Sequence, residues 1–485
     1  MYIPTRFGKI LAVCTVTVAL LSPVALSAQT QTEEAPALPP ALTAILEKLR
    51  DAALSSDYAW RQAAHLTENI GPRLSGSPQA EAAVNYVADE LRRLGLDVKL
   101  EKVMVPHWVR GEEKAELTAY PGQVPGTTQK IVLTALGNSA ATPAEGLTAE
   151  VVVVNNFDEL GVLGRERVSG RIVLFNEKFD KRMAAAGHGG AAYAEAVPYR
   201  SRGAGTAKPL GAVALLVRSV GGADYRLPHT GYSAPAGIPT AAVTAEDAEL
   251  IAHLAQQGRV IMHLVLTPKT LPEVAGYNVI ADLKGSEHPE QVVIVSGHLD
   301  SWDLGTGAID DAAGVAVAMQ TAQLLKKLGL TPRRTMRVIA WTDEENGVAG
   351  SRGYMADYKD AMPNHVGAIE SDLGAGHPLG FVGIFNPSVE AVLRPVTRVL
   401  APMGANLMEN AGEAAADVNP MATAGVPVFG IMQDERTYFN YHHTAADTLD
   451  KIDPRELAEN AAAMAVLAYA IADMQQALPR TPISQ

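Results

Sequence analysis

The stretch "EQVVIVSGHLDSWDLGTGAIDDAAGVAVAMQTAQLLKKLGL" runs from Glu290 to Leu330 and holds a strand, a loop and a helix in one pass. Its apolar run Val292–Val295 reads as a buried strand, and "DAAGVAVAMQTAQLLKKLGL" from Asp311 reads as a helix. Between them the chain crowds His298, Asp300, Asp303, Asp310 and Asp311. Packing gains nothing from four carboxylates set beside apolar sequence. Either the loop is solvated, or something positive sits in it.

The same pattern recurs downstream. "RTMRVIAWTDEENG" and "HVGAIESDLG" are further strands that end in acids, "VEAVLRPVTRVLAPM" is a helix, "GVPVFGIMQD" is a strand, and "PRELAENAAAMAVLAYAIADMQQAL" is a helix. Repeated β-α units imply an α/β fold with a mainly parallel mixed sheet sandwiched by helices. In such sheets the ligand lies beyond the carboxyl ends of the strands. His298 and Asp300, Glu344 and Glu345, Asp372, and finally His442 and His443 each follow a strand, and Asp310 opens a helix. Five chain positions therefore converge on one sheet edge.

Upstream, "AEAAVNYVADELRRLGL" (Ala80–Leu96) is helical, with Ala83, Val84, Val87, Leu91 and Leu94 at helical spacing, and "DVKLEKVMV" is a strand. From about 110 to 270 short apolar runs alternate with Gly- and Pro-rich turns, which reads as a separate β-rich module. "HGGAAYAEAVPYRSRGAG" (His188–Gly205) in its middle is loop-like, with a helical stretch around "YRSRGAGTAKPLGA".

The formal net charge of −13 over 485 residues excludes nucleic acid as a partner, because phosphate binding needs a basic patch. Arg6, Lys9 and the apolar run Ile10–Ala28 read as a signal peptide over residues 1–28, with an uncleaved membrane anchor as the alternative. Its removal takes two cations and no acids, so the mature charge becomes −15. It also removes Cys14, the only cysteine, which excludes disulfides and thiolate-held metals. The expected location is secreted or periplasmic. Residues 29–41 read as a flexible leader, and no later segment is long and apolar enough to span a membrane.

Imidazole and carboxylate ligands without cysteine suit Zn²⁺ in a catalytic site. Two metals close together need a bridging carboxylate. Three carboxylates and one hydroxide balance two such ions, and buried charges persist when compensated in this way.

"GHLDSWDLGTGAIDDAAG", "WTDEENG", "ESDLG" and "YHHTAADT" resemble the M28 family of co-catalytic zinc exopeptidases, most nearly its carboxypeptidase Q branch. The likeness extends to "YRSRGAG" and "PHTGY" in the middle module and to "ADMQQALPR" near the end. It implies two Zn²⁺ per chain, with His298 and Asp372 on one, Glu345 and His443 on the other, and Asp310 bridging. It makes Glu344 the general base and Asp300 the carboxylate that supports His298. His442 precedes the final ligand and is the candidate donor to the oxyanion. The implied organisation is a zinc exopeptidase domain over 42–109 and 271–479, interrupted by a protease-associated-like domain over 110–270. The implied activity is hydrolysis of short peptides, in the manner of a dipeptidase or carboxypeptidase, by an activated water, and the implied assembly is a homodimer. Aminopeptidase action on longer peptides, a single-zinc acyltransferase of glutaminyl-cyclase type, and a receptor-like module without catalysis are the competing readings.

Blander roles exist for each residue. A lone His298 would more often be a packed imidazole, and only the surrounding motifs make it a ligand. Asp311 reads as an acid at a helix N-terminus. Asp303 has no assigned role, Trp302 lines a pocket or packs, and His188, His229 and Tyr232 in the middle module read as structural.

Overall fold

The computed structural model describes residues 38–481, so the signal peptide and most of the leader lie outside the described residues. The first helix, Pro40–Leu54, begins within the last two residues of the expected leader. Pro39 and Pro40 suit this start, because proline costs no hydrogen bond in the first turn of a helix.

Eight strands form one sheet in the order Asp97–Val109, Lys269–Leu283, Arg334–Trp341, His288–His298, His365–Glu370, Val428–Gln433, Pro378–Ile384, Leu407–Asn410. The four from Arg334–Trp341 to Val428–Gln433 are mutually parallel. The flanking pairs with Lys269–Leu283 and Pro378–Ile384 are antiparallel. Helices cover both faces, as the strand composition demands. Val293 and Val295 point into a core with the helices Ala313–Leu328 and Pro454–Asp473, while Ile294 points into a second core with Tyr354, Met362 and Met421. That alternation is the two-residue period of a strand buried on both sides.

A second sheet of eight strands lies wholly between Glu113 and Leu266. It also carries helices, including Phe157–Val168 and Ala245–Gln257. "HGGAAYAEAVPYRSRGAG" is not the loop its glycines suggest, because Gly189–Ser201 is helical. The alanine-rich centre has high helix propensity, and Ala192 and Ala196 are buried against the rest of the protein. The long antiparallel strand Lys269–Leu283 and the edge strands Pro378–Ile384 and Leu407–Asn410 carry no comparable sequence signal.

Candidate metal centre

Parallel strands place all their carboxyl ends on one edge. His298 is the last residue of its strand. Glu344 and Glu345 follow Trp341 after a two-residue turn, and Asp372 lies two residues beyond Glu370. His442 and His443 sit in the loop after Gln433. Asp310 comes from the turn before the helix Ala313–Leu328, and its peptide bond to Asp311 is cis.

Asp310 lies between two imidazoles. Its Oδ1 is 3.1 Å from His298 Nε2, and its Oδ2 is 3.1 Å from His443 Nε2. Asp372 Oδ1 completes one side, 3.2 Å from His298 Nε2. Glu345 Oε2 completes the other, 2.9 Å from His443 Nε2. His442 stacks on His443 with ring centroids 3.6 Å apart, and its Nε2 is 3.4 Å from Asp310 Oδ2. Glu344 is half-buried beside this group, and its side chain forms no hydrogen bond to either imidazole.

The charges of this cluster respond to one another. Burial disfavours a charged Asp310, but His442, His298 and His443 outweigh it and hold its carboxyl well below the usual range. Burial also opposes the His298 imidazolium, yet Asp372 and Asp310 raise its pKa well above normal. His443 is raised to about 9, against burial, by Glu345 and Asp310. Burial, Asp372 and Glu345 push the Glu344 carboxyl well above normal, with His298 opposing. Burial and then Asp310 lift Glu345 to about 7, with His443 opposing.

The residues fit metal ions. His298 with Asp310 and Glu345, and His298 with Asp311 and Asp372, are groups whose ligand atoms are close enough to share an ion. Glu345 Oε1 is buried with no hydrogen-bond partner among the described residues, an orphan that a cation would satisfy.

The supporting contacts refine what the sequence suggests. His298 Nδ1 is 3.0 Å from the main-chain oxygen of Asp300, whereas the nearer carboxylate oxygen is 3.8 Å away. Asp300 thus orients the imidazole with its carbonyl, which fixes the tautomer with Nε2 free. Its carboxylate instead accepts from the main-chain N–H groups of Glu344 and Glu345 and from the Ser75 hydroxyl. Asp311 accepts from the N–H groups of His298 and Gly314. Gly314 must lack a side chain, since a Cβ there would lie 2.0 Å from the Ser371 carbonyl oxygen. Asp447 accepts from the N–H groups of Ala308 and Ile309 and holds the turn that presents Asp310.

Several contributors escape sequence reasoning. Arg73 is fully buried and donates to the carbonyls of Leu299, Thr306 and Gly307, pinning both ends of the loop. Asp303 takes a two-point grip from Arg110 at 2.6 and 2.8 Å. Trp302 packs into the core of the second sheet's module. From that module His229 Nε2 lies 3.1 Å from His442 Nδ1, and Arg200 Nη1 lies 3.3 Å from His443 Nδ1. His188 caps the start of its helix without a side-chain bond.

Comparison with known proteins matches the description "Peptidase family M28" over residues 278–468. Carboxypeptidase Q from Bos taurus is 38% identical over 433 residues, which cover 88% of each chain. The chain belongs to peptidase family M28. The solved M28 peptidase precursor from Shewanella amazonensis SB2B is 36% identical, with a TM-score of 0.85, and the match covers 91% of this chain and 99% of that one. A zinc aminopeptidase from Bacillus subtilis, 20% identical with a TM-score of 0.62, shares the fold over 88% of this chain and 98% of that one. As an M28 member the chain is a metallopeptidase with the mixed α/β fold of that family. No helix among the described residues is long and apolar enough to cross a membrane.

Proposed function

We propose that the protein is an exported dizinc exopeptidase that hydrolyses short peptides, in the manner of a dipeptidase or carboxypeptidase. The observation that carries this reading is Asp310, which offers one oxygen to the His298 side and the other to the His443 side. One zinc would be held by His298 and Asp372, the other by His443 and Glu345, with Asp310 shared. When bound, zinc supplies Lewis acidity toward the peptide carbonyl and lowers the pKa of water.

The remaining work falls to the chain. Glu344 is half-buried, and its raised pKa brings the carboxyl nearer the working pH of a proton carrier. It takes a proton from the attacking water and returns it to the leaving amine. Glu345, one residue on, turns toward His443, so the neighbours divide proton transfer from ligation. His442 would donate from Nε2 to the developing oxyanion, a role supported by the 3.1 Å contact of its Nδ1 with His229 Nε2. The apolar run in residues 1–28 supports export, and the likeness to carboxypeptidase Q supports a homodimer. The module over 110–270 resembles a protease-associated domain in the reading proposed here, and it closes the site with His229 and Arg200.

The test is mass-spectrometric product mapping on a dipeptide and tripeptide library, with Glu344→Ala as control. The expected result is release of single residues from one end only and a loss of roughly 10²–10⁴-fold in kcat for the variant. Unchanged hydrolysis by Glu344→Ala would overturn the mechanism. Cyclisation of N-terminal glutamine in place of hydrolysis would favour the single-zinc acyltransferase.

A further inference from the structure

We infer that the module over 110–270 holds one half of the metal centre in shape, with His229 as a positioning residue. It fixes the loop that carries His443, so metal on the His443 side depends on the module and metal on the His298 side does not. The inference rests on the two-metal reading above and adds what keeps the second site in place.

The two halves are built differently. His298 ends a strand of the first sheet, its Nδ1 meets the Asp300 carbonyl, and its N–H donates to Asp311. None of these partners comes from the module. His443 instead sits in an irregular loop at φ 59°, a left-handed backbone that is uncommon for any residue but glycine. Such a conformation persists where the surroundings over-determine it. Here the surroundings are the module. The Thr230 N–H donates to the His443 carbonyl oxygen at 2.9 Å, and the Gly222 N–H donates to that of Phe439 at 2.9 Å. His229 Nε2 lies 3.1 Å from Nδ1 of His442, the ring stacked on His443. At the start of the same loop Glu435 Oε2 accepts from the Gly190 N–H at 2.8 Å.

These contacts are anchored in the second sheet. The His229 N–H donates to the Ser219 hydroxyl, one residue past the strand Ala214–Arg218. The Thr230 hydroxyl donates to the carbonyl of Ala135, the last residue of the strand Leu133–Ala135. Both residues are fully buried. The approach to the loop is close, since a Cβ at Gly221 would lie 2.6 Å from the Phe439 carbonyl oxygen. A ligand whose backbone is held by remote partners loses its geometry when they are removed. Groups behind a ligating imidazole typically set metal affinity by about 10–100-fold.

The experiment measures stepwise zinc affinities by competition with a chromophoric chelator, with zinc counted by native mass spectrometry. It uses the full chain and the variants His229→Leu, His229→Gln and Gly221→Ala. Wild type should hold two zinc ions. His229→Leu and Gly221→Ala should weaken one of them by roughly 10–100-fold and leave the other unchanged. His229→Gln, whose amide can still hydrogen-bond His442, should keep most of the affinity. In a His443→Ala background His229→Leu should cost nothing more, because the site it supports is already lost. A further loss there would overturn the inference. So would a wild type with two zinc ions that the two variants leave unchanged or weaken equally, and the two-metal reading would then stand. One zinc ion in wild type would overturn that reading and the inference with it. Gly221→Ala adds a single methyl group and carries the test if His229→Leu does not fold.

Discussion

Glu344 and Glu345 are adjacent in sequence, yet only Glu345 touches an imidazole, at 2.9 Å from His443. Glu344 and Glu345 open the short helix Glu344–Gly347, in which successive side chains point in different directions, and the N–H groups of both residues are tied to the Asp300 carboxylate, which fixes the turn. Glu344→Gln should therefore keep its metal while losing activity, whereas Glu345→Gln should lose metal. Metal content and kcat measured on the same preparations check this, and loss of metal from Glu344→Gln would contradict it. At this scale the sequence exposes residues whose chemistry is odd for their place: a histidine or acid directly after an apolar run. It hides those whose partners are remote. Arg200 meets a histidine 243 positions away, and Arg73 meets Gly307 across 234 positions. Arg200 lies within "YRSRGAG", but the motif does not show which residue it meets, and Arg73 lies in no such pattern. Asp300 shows the same limit in reverse, because the residue is legible but whether its carbonyl or its carboxylate orients His298 is not.

The strands and helices that carry the centre are legible because burial on both faces leaves continuous apolar runs. Arg334–Trp341 and His365–Glu370 are buried at every position. The edge strand Leu407–Asn410 is mostly exposed and has no such run. The helix Gly189–Ser201 was masked by glycine and proline, which local reading takes as turn signals while tertiary packing overrides them. Asp303, mute in sequence, joins two elements. Its pair with Arg110 connects the loop after His298 to Glu113, Thr134 and the Ala135 carbonyl of the second sheet. Both side chains are largely shielded, at 14% and 20% exposure. Removing Asp303 takes two charged hydrogen bonds from Arg110 and leaves it with Glu113, so Asp303→Ala should cost about 1.5–3 kcal/mol in denaturant unfolding. A cost below about 0.5 kcal/mol would mean that the link is a solvated surface pair.

The molecule as a whole must tolerate a nest of acids. Asp343, Glu345 and Asp447 are each raised to about 7, chiefly by burial. Asp311, Glu344, Glu370 and Asp417 are raised well above normal for the same first cause. Without metal, the folded chain binds more protons than the unfolded chain from about pH 4 upward. Stability then falls as pH rises through the folded pKa values near 7. Bound cations remove the cause, because they compensate the same carboxylates. Denaturant midpoints from pH 5 to 8 should decline in chelator and stay flatter with zinc present. Parallel curves would show that the acids are neutralised by something other than metal.

The central claim is that Asp310 divides its two oxygens between two metal ions. Metal counting by mass spectrometry on the purified, zinc-loaded and dialysed chain, with Asp310→Asn alongside, tests it most directly. Two zinc ions per chain and a marked loss of metal in the variant are expected. One zinc ion per chain, unchanged by Asp310→Asn, would contradict it.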